Sequence, residues 1–259
     1  MITTEVKGLV IRTVDIRESD RLITVFTAEM GVVNAVAKGA RSLKSRYMSS
    51  TMQFCYSSFV LYRRGEHYWI KEAELIESFF GIRNTIEGLA LSAYIADVLC
   101  DVTVAEAETD LLRLSLNSLY AIAEGKHSLE KIKAAFEIRA SSIIGFMPDA
   151  VSCHLCGERM GNFYFDIMGG SLTCYSCNEK SVEERLEIEN PHESRIICIL
   201  TEGAKMALGY CVYSPIEKIF SFKISDEDMS LLARAAEEYI TNQLERSFKT
   251  LQFYKEVKR

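Results

Sequence analysis

Two closely spaced pairs of cysteines constrain this chain more than any other feature of its sequence. Cys153 and Cys156 form the first pair, Cys174 and Cys177 form the second, and residues 157–173 lie between them. This spacing is typical of tetrahedral zinc sites, because a turn with two intervening residues directs both thiolates at one ion. Four thiolates leave no open coordination position. We therefore expect one structural Zn²⁺ ion and no catalytic metal.

The residues between the two pairs favour the same interpretation. Residues 163–165 and 169–171 have the pattern of a small hairpin, as in a zinc ribbon, and Gly157 suits a left-handed position after the first pair. A redox dithiol would need one pair beside a βαβ unit, and neither condition holds. His154 lies inside the first turn, where a fifth ligand has no room, so we expect a surface histidine. The remaining cysteines lie in apolar segments and are expected to be small buried hydrophobic residues: Cys55, Cys100, Cys198 and Cys211.

The composition is that of an ordinary globular protein. The chain has 259 residues, of which 48% are hydrophobic and 25% charged, which fits one or two domains without extensive disorder. No apolar run reaches the ~18 residues needed to cross a bilayer. The first five residues lack the basic start of a secretory signal. A soluble protein in a reducing, intracellular compartment is the expectation.

The periodicity of apolar residues changes from strand-like to helical near residue 80. The first segment contains five runs rich in β-branched and aromatic residues, which predict strands at 6–14, 21–27, 32–38, 54–62 and 68–76. Five short strands in about eighty residues fit an OB-like barrel. The predicted fold is therefore α+β, with an OB-fold domain at 1–79.

The remainder of the chain, 80–259, is expected to be a helical domain that carries the zinc ribbon at about 150–180. Apolar residues recur three or four positions apart, as in a helix that buries one face. Ile196, Leu200, Ala204 and Leu208 predict one such helix after the cysteines, and Ser225 is the expected N-cap of another.

Positive charge is concentrated in one part of a chain whose net charge is −6. Met30–Gly65 contains no carboxylate, and its six cations are Lys38, Arg41, Lys44, Arg46, Arg63 and Arg64. The segment from Gly39 to Met52 is expected to be a loop or short helix beside the barrel. Cations interleaved with serines and with Tyr47 suit a phosphate backbone and a base stacked on a ring, whereas the alternative is a solvated loop.

No motif in the sequence predicts catalysis. The chain has no G-x-x-x-x-G-K-[ST], G-x-G-x-x-G, H-E-x-x-H or G-x-S-x-G pattern. Asp15, Glu18 and Asp20 are close together, but a turn between strands is expected to hold them as solvated carboxylates. We therefore expect a protein that is not an enzyme and has no catalytic residues.

Two segments resemble the bacterial recombination mediator family RecO. The first is Arg17–Thr27 with Gly31 and Ala37–Arg41, and the second is Gly145–Asp149 before the first cysteine pair. The resemblance implies an N-terminal OB-fold and a helical domain with a zinc ribbon. It also implies binding of single- and double-stranded DNA, annealing of complementary strands, and cooperation with RecR in loading the RecA recombinase onto DNA covered by single-strand-binding protein. A bacterial cytoplasmic, nucleoid-associated location follows from the same resemblance.

Carried over to this sequence, the resemblance places DNA contacts on the basic segment. The expected contacts are Lys38, Arg41, Lys44 and Arg46, with Arg12, Arg21 and Arg63 as weaker candidates. Two alternatives stay open. One is another OB-fold and zinc-ribbon module that binds RNA or serves transcription, and the other is a zinc-organised scaffold with no role in nucleic-acid binding.

Overall fold

The computed structural model of the protein describes residues 3–42, 44–65, 67–102, 108–179 and 196–258. The chain divides into two compact units. The first contains Met1–Lys126 together with Phe248–Arg259, and the second contains His127–Ser247. No helix within the described ranges is both long and apolar enough to cross a membrane.

Five strands of the first unit close into a barrel, as the sequence predicted. They are β1 (Thr3–Ile16), β2 (Asp20–Thr27), β3 (Gly31–Ala37), β4 (Tyr56–Arg64) and β5 (His67–Glu77). Their order around the barrel is β1-β2-β3-β5-β4. Only the β3–β5 pair is parallel among these described strands. The predicted OB-like barrel is confirmed.

The interior of the barrel is filled by alternate residues of its strands. Ile23 and Val25 of β2 lie beside Ala35 and Val33 of β3, and all four side chains are buried. Because successive strand residues point to opposite faces, the intervening residues lie on the outside. The segment between β3 and β4 also contributes, since Ala40 and Tyr47 belong to this core.

The helices lie after residue 80, as the sequence predicted. They are α1 (Ile86–Asp101), α2 (Glu108–Glu124), α3 (Leu129–Ile143), α4 (Glu202–Tyr213), α5 (Asp226–Gln243) and α6 (Lys249–Val257). Ser225 is the N-cap of α5, because its side chain accepts a hydrogen bond from the backbone N–H of Asp228 at 3.1 Å. A 3-10 helix at Phe80–Asn84 joins β5 to α1.

Helix α6 completes the first unit, far along the chain from the helix that it contacts. The ring of Phe248 meets Tyr94 of α1 edge-on, with 5.5 Å between ring centroids. The hydroxyl of Thr250 donates a hydrogen bond to Asp97 at 2.8 Å. The last helix therefore belongs with the barrel and not with the second unit.

The second unit combines α3, α4 and α5 with a three-stranded sheet. The strands are β6 (Phe163–Asp166), β7 (Ser171–Cys174) and β8 (Ile197–Leu200), in the order β7-β6-β8. Helix α3 packs against α5. Between them, Nζ of Lys133 lies 2.8 Å from Oε1 of Glu137 and 2.8 Å from Oε2 of Glu237.

One predicted helix is wrong over its first part. Strand β8 occupies Ile197–Leu200, Ile196 directly precedes it, and α4 begins only at Glu202. The prediction used the separation of four residues between Ile196 and Leu200, which places both on one face of a strand as well as of a helix. Cys198 and Leu200 are buried while Ile197 and Ile199 are exposed, so the true period is two.

The compact units divide the chain differently from the predicted domains 1–79 and 80–259. Helices α1, α2 and α6 share a unit with the barrel, because contacts rather than chain order define the unit. Those domain boundaries stay a prediction.

Candidate metal centre and nucleic-acid interface

The four paired cysteines converge in the second unit. Cys153 and Cys156 lie in the loop after α3, Cys174 ends β7, and Cys177 lies in a helical turn at 175–179. Their four sulfur atoms all lie within 4.8 Å of one another. The structure thus brings together the four cysteines that the sequence predicts to share one site.

Backbone hydrogen bonds fix the first cysteine pair in a tight turn. The N–H of Gly157 donates to the carbonyl of Cys153 at 2.9 Å, and the N–H of Cys153 donates to Glu158 at 2.7 Å. Gly157 has φ +79°, the left-handed conformation that glycine adopts at little cost. The N–H of His154 donates to Leu172 of β7 at 2.9 Å, so the turn is tied to the strand that leads to Cys174.

The predicted hairpin supplies the other side of the cluster. Strands β6 and β7 are antiparallel, with Phe163 opposite Cys174 and Asp166 opposite Ser171. The carboxylate of Asp166 accepts hydrogen bonds from the N–H groups of Met168 and Gly169 at 3.0 and 3.1 Å, which closes the turn. His154 is outside the cluster, with Nδ1 2.9 Å from the carbonyl oxygen of Leu172.

The spacing of the sulfur atoms fits a metal-thiolate site. Sγ of Cys156 lies 3.6 Å from Sγ of Cys174, and all four cysteines are free thiols. A tetrahedral zinc site with Zn–S bonds of ~2.3 Å has sulfur atoms ~3.8 Å apart, whereas a disulfide needs ~2.05 Å. This donor set can therefore hold a thiophilic divalent cation such as zinc.

The clustered thiols differ in how readily they ionise. Burial of Cys153 opposes its ionisation, but backbone N–H groups of Cys174, Cys156 and Leu155 stabilise the thiolate and lower its pKa to about 6. Hydrogen bonds with Cys156 and Cys174 raise the pKa of Cys177 to about 12. Crowded thiols thus resist losing all their protons, and a cation at the centre would remove that resistance.

The basic segment is a series of turns that hydrogen bonds attach to the barrel at several points. Lys38, Arg41, Lys44 and Arg46 are all exposed, as a DNA-contacting segment requires. The N–H of Gly39 donates to Oδ1 of Asp20 at 2.8 Å, which ties the beginning of the segment to the start of β2. Another point of attachment is Tyr47, in the middle of the segment.

Tyr47 does not serve as an exposed stacking ring, contrary to the expectation from the sequence. Its side chain is only 9% exposed, lies in the barrel core and donates a hydrogen bond from its hydroxyl to the carbonyl of Lys71 at 2.6 Å. The guanidinium of Arg46 lies 4.8 Å from the centroid of the Tyr47 ring and donates to the same carbonyl at 3.1 Å. The segment therefore contributes to the barrel core, because the Tyr47 ring packs inside it.

The expectation that the carboxylates near the β1–β2 turn are solvated is wrong for Asp20, whereas Asp15 and Glu18 are exposed. Asp20 is buried, and its carboxylate accepts the hydrogen bond from the N–H of Gly39. Asp15 binds two cations, with Oδ1 at 3.1 Å from Nε of Arg21 and Oδ2 at 3.2 Å from Nε of Arg41. The local charge is consequently smaller than the sequence count suggests.

The predicted DNA contacts therefore fall into two groups. Arg41, Arg21, Arg46 and Arg63 have partners within the protein, Arg63 through the carbonyl of Gly65 at 3.2 Å. The side chains of Arg12, Lys38 and Lys44 are exposed and form no hydrogen bond or ion pair with the described residues. These three are the most available cations of the predicted set.

Sequence reasoning assigned no role to two aromatic residues on the outside of the barrel. Tyr62 of β4 and Trp69 of β5 are register partners, and each side chain is half-buried. Their position could have been read from the short spacing across the β4–β5 turn, which puts both rings on the same face of a hairpin.

Two family models match the chain in succession. The N-terminal model of recombination protein O matches residues 1–79, and its C-terminal model matches residues 83–192. These ranges include the barrel and all four clustered cysteines.

Individual relatives agree over nearly the whole chain. The DNA repair protein RecO of Acetivibrio thermocellus is 35% identical over 254 residues, which is 97% of this chain and 96% of that protein. The DNA repair protein RecO of Desulforamulus reducens is 31% identical over 250 residues, with 95% and 91% covered. The corresponding protein of Caldicellulosiruptor saccharolyticus is 28% identical over 254 residues. The chain therefore belongs to the RecO family of DNA repair and recombination proteins.

Proposed function

We propose that this protein is a DNA-binding recombination mediator that acts by binding and not by catalysis. It binds single- and double-stranded DNA, anneals complementary strands, and works with RecR to load RecA onto DNA covered by single-strand-binding protein. Membership of the RecO family carries this proposal. Its site of action is the bacterial cytoplasm, at the nucleoid.

The exposed cations of the barrel support DNA binding. Lys38 and Lys44 extend from the segment between β3 and β4, and Arg12 lies on the outer side of β1. Cationic side chains bind phosphates with little regard to sequence, because affinity comes from the release of condensed counterions. A mediator that acts wherever a gap or break arises needs this kind of affinity.

The proposal includes one structural zinc ion held by Cys153, Cys156, Cys174 and Cys177. Their converging sulfur atoms and the closed set of four thiolates support it. The ion would hold the first turn, the β6–β7 hairpin and the helical turn at 175–179 together. It would leave no coordination position for a substrate.

The absence of catalysis is a separate part of the proposal. It is supported by a sequence without a phosphate-binding loop or a nucleophile motif. We expect no ATP turnover above a buffer blank. Turnover that co-purifies with the protein and disappears with a single substitution would contradict this part.

Equilibrium binding to labelled oligonucleotides at several salt concentrations tests the function. About four phosphate contacts give a slope of log affinity against log salt near −3 for a single strand, with ~0.7 per contact. DNA and RNA strands of the same length and base order are compared. Stronger binding of RNA would favour an RNA-binding module, and no binding of either would favour the scaffold alternative.

A further inference from the structure

One residue from each barrel strand lies in a continuous row around the outside of the barrel. Val14 of β1 is paired with Leu22 of β2, and Leu22 is paired with Val36 of β3. Val36 is paired with Trp69 of β5, and Trp69 with Tyr62 of β4. Neighbouring strands are ~4.8 Å apart, so the row follows ~19 Å of the barrel's circumference, and Tyr62 and Trp69 are adjacent within it. We call these five residues the outer-face row.

The row lies on the outside of the barrel. Its sequence neighbours Ile23, Ala35, Leu61 and Ile70 are all members of the buried barrel core. Successive strand residues point to opposite faces, and directly paired residues point to the same face. The two aromatic and three aliphatic side chains of the row thus point away from the barrel interior. Val14 is exposed, Leu22, Tyr62 and Trp69 are half-buried, and Val36 is buried.

The same outer face is covered at its other end. Leu9 and Phe26 are paired across β1 and β2 on this face, and each is only 1% exposed although neither belongs to the barrel core. Helices α1 and α2 of the same compact unit pack against these strands. Val14, by contrast, is 43% exposed. At this open end, Val14 is therefore exposed and the rings of Tyr62 and Trp69 are partly exposed.

Cations surround the open end. The guanidinium of Arg64 lies 5.8 Å from the centroid of the Trp69 ring. Arg12, whose partner is Thr24, lies one outward position from Val14, and Lys38 follows Val36 by two residues. The combination of partly exposed rings and nearby cations is the chemistry by which proteins hold single-stranded nucleic acid.

We infer that the outer-face row is a stacking site for the unpaired bases of single-stranded DNA, centred on Trp69 and Tyr62. This inference rests on the proposed function and adds a distinction to it. Basic side chains bind the phosphates of single and double strands alike, whereas an aromatic ring stacks only on a base whose face is free. The row therefore makes the barrel prefer single strands over duplexes.

The intrinsic fluorescence of Trp69 tests the inference directly, because the chain contains one tryptophan. A fluorescein-labelled thymidine oligonucleotide establishes saturation by anisotropy, and the unlabelled oligonucleotide is then titrated while tryptophan emission is recorded. We expect quenching by the thymidine strand. An abasic strand of the same length, which has the phosphates without the bases, is expected to bind with little quenching.

Variants give a second, independent measurement. In the Tyr62→Ala/Trp69→Ala variant, affinity for the thymidine strand should fall at least about fivefold, with affinity for the abasic strand unchanged. Trp69→Phe should retain most of the affinity, because the ring is kept. Tyr120→Ala is the matched control, since Tyr120 is 53% exposed on α2 of the same unit.

The possible results separate the stacking site from DNA binding in general. Unchanged tryptophan emission at a saturating thymidine strand overturns the stacking site and leaves the proposed function intact. Equal losses for thymidine and abasic strands in the double variant also overturn it. If neither strand binds the wild-type protein, the proposed function fails and the stacking site fails with it.

Discussion

The guanidinium of Arg41 and the carboxylate of Asp15 form an ion pair, with 3.2 Å between Nε and Oδ2. The other oxygen of this carboxylate accepts a hydrogen bond from Arg21 at 3.1 Å. Arg41 also donates to the carbonyls of Arg17 and Glu18 at 3.2 and 3.1 Å, so it holds the β1–β2 turn in place. One carboxylate thus compensates part of the charge of two predicted DNA contacts.

Replacing this carboxylate should strengthen DNA binding. In Asp15→Asn, Arg21 and Arg41 would be available to phosphates, so the salt slope for single strands should steepen by up to ~1.4, at ~0.7 per contact. Anisotropy titrations at several salt concentrations measure it. Glu256→Gln removes the same charge from an exposed position on α6 and is the control. Equal effects of both substitutions would contradict a specific role of Asp15.

Removing the two available lysines should weaken DNA binding without harming the fold. In Lys38→Ala/Lys44→Ala, the slope of log affinity against log salt for single strands should become less negative by ~1.4, at ~0.7 per lost contact. The affinity should fall for all base sequences alike. Stability should change by no more than about 0.5 kcal/mol, because both side chains are exposed and unpaired among the described residues. Urea unfolding checks this. Lys223→Ala/Lys249→Ala is the matched control. It removes two exposed lysines from outside the basic segment, one shortly before α5 and one at the start of α6.

Replacing all four cations of the segment should have a larger effect, but part of it is structural. Arg41→Ala releases the β1–β2 turn, and Arg46→Ala removes a donor to Lys71 and a cation from the Tyr47 ring. If the variant with alanine at Lys38, Arg41, Lys44 and Arg46 is folded and keeps wild-type affinity and salt slope, the basic segment is not the DNA-binding site. The DNA site would then have to lie in the helical domain or the zinc ribbon.

Elemental analysis should find one zinc ion per chain. Closed thiolate sites contribute on the order of 10 kcal/mol to local folding, so Cys156→Ser or a strong chelator should loosen residues 153–177. Hydrogen exchange should show this loss in the β6–β7 hairpin, while the barrel stays protected. Because protons compete for the thiolates, zinc should be released as the pH falls. Protein without zinc that contains a disulfide between these cysteines would overturn the assignment.

The buried lysine between α3 and α5 should be essential for the stability of the second unit. Lys133→Ala would leave the fully buried Glu137 without its cation, at a cost of about 3–5 kcal/mol in the free energy of unfolding. The attraction of Glu137 and Glu237 outweighs burial and raises the pKa of Lys133, so wild-type stability from this group persists up to alkaline pH.

Urea unfolding of two variants tests this expectation. Lys133→Met/Glu137→Gln, which removes the charge of both partners, should recover much of the loss. Equal stability of wild type and Lys133→Ala would show that Glu137 does not depend on this lysine.

The sequence was sufficient for features that rest on local pattern. The barrel strands could be predicted from β-branched runs between turn residues. The cysteine cluster could be predicted from spacing alone, because a turn with two residues between cysteines directs both thiolates to the same side. The N-cap at Ser225 was likewise local. Each of these depends on residues that are near one another in the chain.

Features that depend on distant partners were missed. Nothing near Tyr47 in the sequence shows that its ring enters the barrel and that its hydroxyl meets Lys71. The pairing of Asp15 with Arg41 likewise joins residues that only the closed barrel brings together. The strand at Ile197–Leu200 gains its partner Phe163–Asp166 across a long stretch of chain, so a helical spacing was the simpler interpretation.

The contact of Phe248 and Thr250 with α1 has a consequence for biosynthesis. A ribosome makes the chain from residue 1 onward, and 127–247 emerge before the helix that completes the barrel unit. The inserted unit can therefore fold first, while the face of α1 that receives α6 stays exposed. Premature termination after residue 247 would release a product whose defect lies at the beginning of the chain.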